Sequence, residues 1–265
     1  MDLMDIYHIT DETERVEKTY ELFDENTRLN RSKSARVEFF TTVRTIEEYL
    51  TPGSRILDVG AGAGEYSLYF ARKGYSVSAL ELSDANIDAF RKKITPDDPV
   101  ELVKGNALNL SRYSDGSFDV VLLFGPLYHL SSVEDRIRCV REARRVCKPG
   151  GKLFCAFISH DMLFMTELGY DPEFFLGNTY DHDALRLENF PFVFATVDEC
   201  RDILKQSGIN ILREIATDGF SELMAARIDS LDEDSYQQYL RWHFSICEKP
   251  EFLGASNHLL FVGEN

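Results

Sequence analysis

Basic residues are scarce in this chain: 29 lysines and arginines stand against 45 aspartates and glutamates, a formal net charge of -16 over 265 residues. Such a surface repels phosphate backbones and anionic lipid, so neither nucleic acid nor a membrane is expected among its partners. The densest basic stretch, Arg136 to Lys148, has apolar residues at helical spacing and reads as one solvated helix face. Cysteine is equally uninformative as a framework. The five cysteines (Cys139, Cys147, Cys155, Cys200 and Cys247) are odd in number and never fall as Cys-x-x-Cys, which argues against both a disulfide scaffold and a zinc site. His160-Asp161 and Asp181-His182-Asp183 hold metal-type ligands but read as solvated clusters, so no metal is expected. No apolar run approaches the ~20 residues that cross a bilayer. Met1 to Thr10 is acidic and lacks the basic and apolar regions of a signal peptide, so a cytoplasmic location is expected. Internal repeats and low-complexity segments are also missing.

What is present is an ordinary globular composition, 44% hydrophobic and 28% charged, which suits one elaborated domain acting as a monomer or homodimer. Residues 5 to 50 carry apolar positions at intervals of three and four (Val37, Phe40, Val43, Ile46, Tyr49, Leu50) and are expected to form a helical cover. Thr51-Pro52-Gly53 stops it. Five strands are expected in residues 51–158: Arg55 to Val59, Ser76 to Glu81, Val100 to Lys104, Phe118 to Phe124 and Lys152 to Ile158. Helices at Glu65 to Lys73, Ser83 to about Ile94 and Ser132 to Val146 separate most of them, an order that forces parallel pairing. The unbroken apolar run Val120-Val121-Leu122-Leu123-Phe124 requires cover on both faces and belongs mid-sheet. The expectation is a doubly wound α/β fold. The alternation breaks at residues 159–195 and 220–250, and stretches this long read as caps over a site. Residues 196–219 and 251–265 supply the remainder, with strands at Ile209 to Ala216 and His258 to Val262.

Leu57-Asp58-Val59-Gly60-Ala61-Gly62-Ala63-Gly64 lies where a strand turns into a helix, and its glycines let the backbone approach a ligand closely. A dinucleotide loop would have Gly-x-Gly-x-x-Gly, but the third small position falls on Glu65 or Ser67. Asp58 sharpens the mismatch, because a carboxylate there opposes a pyrophosphate and suits a cationic or zwitterionic ligand. Glu81, followed by Leu82, ends the second strand where doubly wound nucleotide sites place an acid on ribose hydroxyls. Asn106-Ala107 follows the third strand, where an amide can read an adenine edge. Phe124-Gly125-Pro126-Leu127-Tyr128-His129-Leu130 leaves the fourth strand at the carboxyl edge of the sheet, which makes Tyr128 and His129 the candidate substrate-side pair.

Together these segments, from Arg55 to Ile158, resemble the class I S-adenosylmethionine-dependent methyltransferases. Ile56 to Gly64 is similar to the family's first motif, Glu81 to its ribose acid, Gly105-Asn106-Ala107 to its adenine segment, Phe118-Asp119-Val120-Val121 to its fourth strand, and Arg145 to Leu153 to its turn into strand five. The family usually has aspartate where Asn106 stands. The resemblance implies a mostly parallel seven-stranded sheet with helices on both faces and an antiparallel last strand, S-adenosyl-L-methionine as cofactor, and a small-molecule methyl acceptor. It also implies that Gly60, Ala61 and Gly62 line the methionine and ribose, that Asp58 supports the loop, and that Phe124 and Gly125 lie beside the sulfonium. Tyr20, Arg28 and Arg31 are candidates to meet the cofactor's carboxylate, and Tyr20, Arg28 and Trp242 to wall the acceptor pocket. His129 is the candidate base for an acceptor that carries a proton. An NAD(P)-dependent oxidoreductase and a non-catalytic S-adenosylmethionine-binding protein are the alternatives, and the acceptor atom stays open between oxygen, nitrogen, sulfur and carbon.

Overall fold

A computed structural model describes residues 3–23, 25–188 and 190–265; Met1, Asp2, Asp24 in the expected N-terminal helical cover and Asn189 in the first cap lie outside them. Along the chain come α1 (Leu3–Tyr7), α2 (Glu12–Leu22), α3 (Glu25–Arg28), α4 (Lys33–Glu47), β1 (Arg55–Val59), α5 (Glu65–Arg72), β2 (Ser76–Glu81), α6 (Asp84–Arg91), β3 (Val100–Lys104), β4 (Phe118–Leu123), α7 (Val133–Val146) and β5 (Cys147–Ser159). There follow α8 (His160–Tyr170), the short strands β6 (Tyr180–Asp181), β7 (Arg186–Leu187) and β8 (Phe194–Ala195), then α9 (Val197–Gln206), β9 (Asn210–Ala216), α10 (Ala225–Asp229), α11 (Glu233–Ile246), α12 (Pro250–Leu253) and β10 (His258–Glu264). No helix among the described residues is long and apolar enough to cross a membrane.

The main sheet runs β3-β2-β1-β4-β5-β10-β9, with β8 added beside the end of β5. The first five strands pair in parallel, and β10 lies antiparallel to both β5 and β9. Strand order reverses between β1 and β4, so the loops after these strands part and leave a crevice at their carboxyl ends. Two apolar layers hold the sheet. One packs Cys139, Val140 and Ala143 of α7 and Ile203 and Leu204 of α9 against Leu57, Val121 and Phe261. The other packs Phe39, Val43 and Ile46 of α4 and Tyr66 and Phe70 of α5 against Ile56, Leu122 and Leu260.

The structure departs from the sequence pattern in four places. Residues 5 to 50 form four helices, because Asp11 and Ser32 each cap a new start with side chains that accept from Glu14 and Ala35 amides. Strand β5 begins at Cys147 rather than Lys152: the Lys148-to-Gly151 segment, with Gly150 at φ +75°, forms an irregularity in the strand that shifts the pairing register between Phe118 and Val120. Arg136, expected on a solvated face, is buried at 7% exposure. The second cap covers the outside of the molecule more than the crevice. Ile228 of α10 and Tyr236 and Leu240 of α11 bury themselves against Val37 of α4, leaving the segment before α10 and its first residue, Ala225, near the sheet's carboxyl edge.

Candidate functional site

The turn from β1 to α5 is built for close approach. Gly60 has φ +79°, and a Cβ there would lie 2.7 Å from Pro126 Cδ; Gly64 has φ +84°, and a Cβ there would lie 2.3 Å from the Phe90 ring. The amides of Gly60 and Ala61 donate to the Leu80 carbonyl at 2.8 and 3.1 Å, and Gly62 N donates to Glu81 Oε2 at 2.7 Å. The glycine turn is thus tied to the end of β2. Glu81 is buried, and its Oε1 accepts from Ser83 N at 2.9 Å and Asn86 Nδ2 at 3.3 Å. Burial raises its pKa, and these backbone and amide donors pull it back. Asp58 is also buried. Ser67 Oγ donates to its Oδ2 at 2.7 Å, while Oδ1 has no partner among the described residues. Burial pushes the Asp58 carboxyl up to about 7, with the Ser67 bond opposing and the Glu81 charge adding.

Three connected cavities follow the carboxyl edge of the sheet, and Tyr20 of α2 borders all of them. The first is a narrow slot between Leu80, Ala107, Pro126 and Leu130, with Glu81 and Asn106 on its polar side and Val16 of α2 above. The second, also narrow, lies over the glycine turn and is walled by Asp58, Tyr66, Phe124 and Tyr128. The third is larger, about 470 Å³, with aromatic walls (Phe23, Tyr128, Tyr170, Phe192) and charged groups at its floor and rim.

The structure brings Asp58, Gly60, Ala61, Gly62 and Phe124 to the second cavity and Glu81, Leu82, Asn106, Ala107 and Gly125 to the first. Asn106 Oδ1 accepts from Leu108 N at 2.8 Å. Tyr128 stands between the second and third cavities, and burial raises its phenol. His129 borders the first cavity, away from the third, and its Nε2 lies 2.8 Å from Tyr20 Oη. Burial, helped by the Arg15 charge, lowers the imidazole to about 3, so His129 is neutral across the physiological range. Arg28 reaches the second and third cavities but is shared, donating to Glu38 at 2.6 and 3.3 Å and to Glu25 at 2.8 Å. Arg31 stands at the rim of the third. Trp242 does not join them. It sits on the outer helix α11, 47% exposed and against Tyr239 at 5.8 Å, and lines none of the three cavities.

Of the first cap's aromatics, Tyr170 and Phe192 reach the third cavity, whereas Phe164, Phe174 and Tyr180 pack with one another. His160 is used inside the cap, Nδ1 toward Asp161 and Nε2 accepting from Leu187 N at 3.1 Å. Glu38, Asp218 and His258 escape sequence reasoning. One signal points to the last two: if the final strands pair antiparallel, the residues after β9 meet the start of β10, and the register Leu259 with Ala216 does bring Asp218 to His258.

An open α/β sheet with a glycine turn, a buried acid ending β2 and a roofed cavity beside them defines a nucleoside-binding enzyme class. Residues 57–155 match the methyltransferase-domain family. Demethylmenaquinone methyltransferase from Bacillus mycoides (strain KBAB4) is 30% identical over 168 residues, which cover 61% of this chain and 67% of that one. The corresponding enzyme of Clavibacter sepedonicus is 35% identical over 120 residues, 45% of this chain and 47% of that one. The chain spans about half the length of several curated relatives that it matches. The crystal structure of an S-adenosylmethionine-dependent methyltransferase from Methanosarcina mazei has the same fold, with a TM-score of 0.55 at 20% identity over 83% of this chain and 96% of that one. The chain belongs to the class I S-adenosylmethionine-dependent methyltransferases.

Proposed function

We propose that this chain transfers a methyl group from S-adenosylmethionine to a small molecule held in the third cavity, with no nucleic-acid partner. The observation that carries the reading is Asp58 Oδ1, buried beside the glycine turn and without a partner among the described residues. An orphaned carboxylate oxygen calls for a cationic donor, and the ammonium of a methionine moiety supplies one where a pyrophosphate would be repelled. In this reading Leu80, Leu82, Ala107 and Pro126 sandwich the adenine, the Asn106 amide reads its edge, and Glu81 takes the ribose hydroxyls while it fixes Gly62. Gly60, Ala61 and Gly62 lie under the methionine, with Phe124 and Gly125 toward the reacting centre.

The donor, when bound, supplies an electrophilic methyl carbon on a positively charged sulfur. The chain's own work is to align an acceptor with that carbon and to exclude water. Tyr20 and Tyr128 close the passage between the second and third cavities, and we assign His129 to hold Tyr20 there as a neutral hydrogen-bond partner rather than to act as a base. Titration calorimetry with S-adenosylhomocysteine tests the assignment. The wild type should bind with roughly micromolar affinity and Gly60→Ala at least about tenfold more weakly, a loss of about 1.4 kcal/mol, because the added methyl meets Pro126. Heat with NAD and none with S-adenosylhomocysteine would overturn it.

A further inference from the structure

His258 begins β10 at the junction of the second and third cavities, half-buried and 25% exposed at its side chain. Its Nδ1 lies 2.8 Å from Asp218 Oδ2, and its own backbone amide donates to Asp218 Oδ1 at 3.1 Å. Asp218 is buried in turn and takes a further bond from Ser256 Oγ on its Oδ1. A buried carboxylate so held fixes the ring's orientation and places the Nδ1 proton toward itself, so that in the neutral ring Nε2 is the acceptor. Among the described residues Nε2 has no hydrogen-bond partner. We propose that His258, positioned by Asp218, takes the proton from the acceptor, and that the acceptor is therefore an aromatic hydroxyl compound methylated at oxygen. This rests on the methyl-transfer reading above and adds to it a second catalytic group and a substrate class.

The aromatic walls of the third cavity suit a flat ring, and the charge environment suits a weakly acidic hydroxyl. Burial alone would lower the imidazole, but Glu38 at 3.6 Å and Asp218 outweigh it, with Arg28 opposing, and the ring is raised to about 9. Tyr20, Glu25, Arg31, Tyr128, Tyr170 and Glu222 are the other titratable groups bordering the same space. Below about pH 9 the ring is mostly imidazolium, so the neutral form that takes the proton is a minority at pH 7 and grows as pH rises. Its strength as a base lies close to that of a phenolate, whose phenol has a pKa of about 10, so the proton passes between them at little cost. The balance of the step is simple. The O–H proton goes to Nε2, the oxygen lone pair forms the bond to the methyl carbon, and the C–S electron pair stays on sulfur as a neutral thioether. His258 gains the positive charge that the sulfonium loses and returns its proton to solvent through its exposed edge.

The test uses the full chain saturated with S-adenosylhomocysteine and 4-nitrophenol as probe, because the ionised form of this phenol absorbs visible light. In the wild type the bound probe should ionise at least one pH unit lower than in buffer, since the imidazolium stabilises the phenolate. His258→Gln should keep its cooperative melt and lose the shift. Asp218→Asn should lower the His258 pKa, read by NMR of the labelled imidazole, and reduce the shift in proportion. No change in ionisation with the wild type, a shift that survives in His258→Gln, or displacement of the probe by benzylamine but not by phenol would each overturn the proposal. Failure of the wild type to bind S-adenosylhomocysteine in calorimetry would instead remove the cofactor reading on which it rests.

Discussion

Asp58 shows how one side chain couples fold, ligand and pH. Its folded pKa of about 7 lies above the ordinary carboxylate value because burial disfavours the charged form. The folded chain therefore keeps a proton that the unfolded chain has already released, and stability falls as pH rises from about 4 to about 7, then levels. Binding runs the other way. A ligand ammonium favours the ionised form, so affinity for S-adenosylhomocysteine should rise roughly five- to tenfold between pH 6 and pH 8. Calorimetry at the two pH values should show this in the wild type, and a weaker, pH-independent affinity in Asp58→Asn. The residue itself was legible in the sequence, because a carboxylate just before a glycine turn is a local pattern. Its unpartnered oxygen was not, because that depends on where Ser67 and Glu81 point.

At the scale of elements, the sheet was the most legible part. Parallel strands covered on both faces must be nearly continuous apolar runs, and β4 above all, with Ile56, Leu57 and Val59 of β1, reads as such. The N-terminal cover was less legible, since a shared helical period runs through breaks that only capping side chains create. Helix α2 has few anchors, with Val16 and Thr19 its buried residues, yet it roofs the first cavity through Val16 and Tyr20. An element with so little buried surface opens readily and is stabilised by what it covers. Amide exchange in residues 12–22 should slow severalfold when S-adenosylhomocysteine is added, while exchange in α4 stays unchanged. Equal protection of α2 with and without ligand would show that it is not the cover of the cofactor site. The caps divide in the same way: Tyr170 and Phe192 turn toward the cleft, whereas Trp242 faces outward because α11 spends its apolar side on α4.

For the whole molecule, the formal charge of -16 is the dominant electrostatic fact. A phosphate backbone gains its binding from released counterions, and a surface with this excess of carboxylates releases few. Duplex DNA at about 50 mM salt should show no retardation by micromolar protein in a gel-shift experiment; a salt-sensitive complex there would reveal a basic face and reopen the choice of substrate. The same acidity leaves the cleft mixed rather than uniformly negative, because Arg28 and His258 are interleaved with Glu25, Glu38 and Asp218.

By itself the sequence determined the parallel order of the first five strands, the glycine turn and the acid that ends β2. Each is encoded by neighbours a few residues apart, through apolar periodicity and the backbone freedom of glycine. The tertiary structure alone decided that His129 is buried against Tyr20, that Trp242 lies outside the cleft, and that Glu38, Asp218 and His258 converge on one wall. Those three come from positions up to 220 residues apart. Their meeting is set by the antiparallel pairing of β10 and by the packing of α4, which no local pattern records.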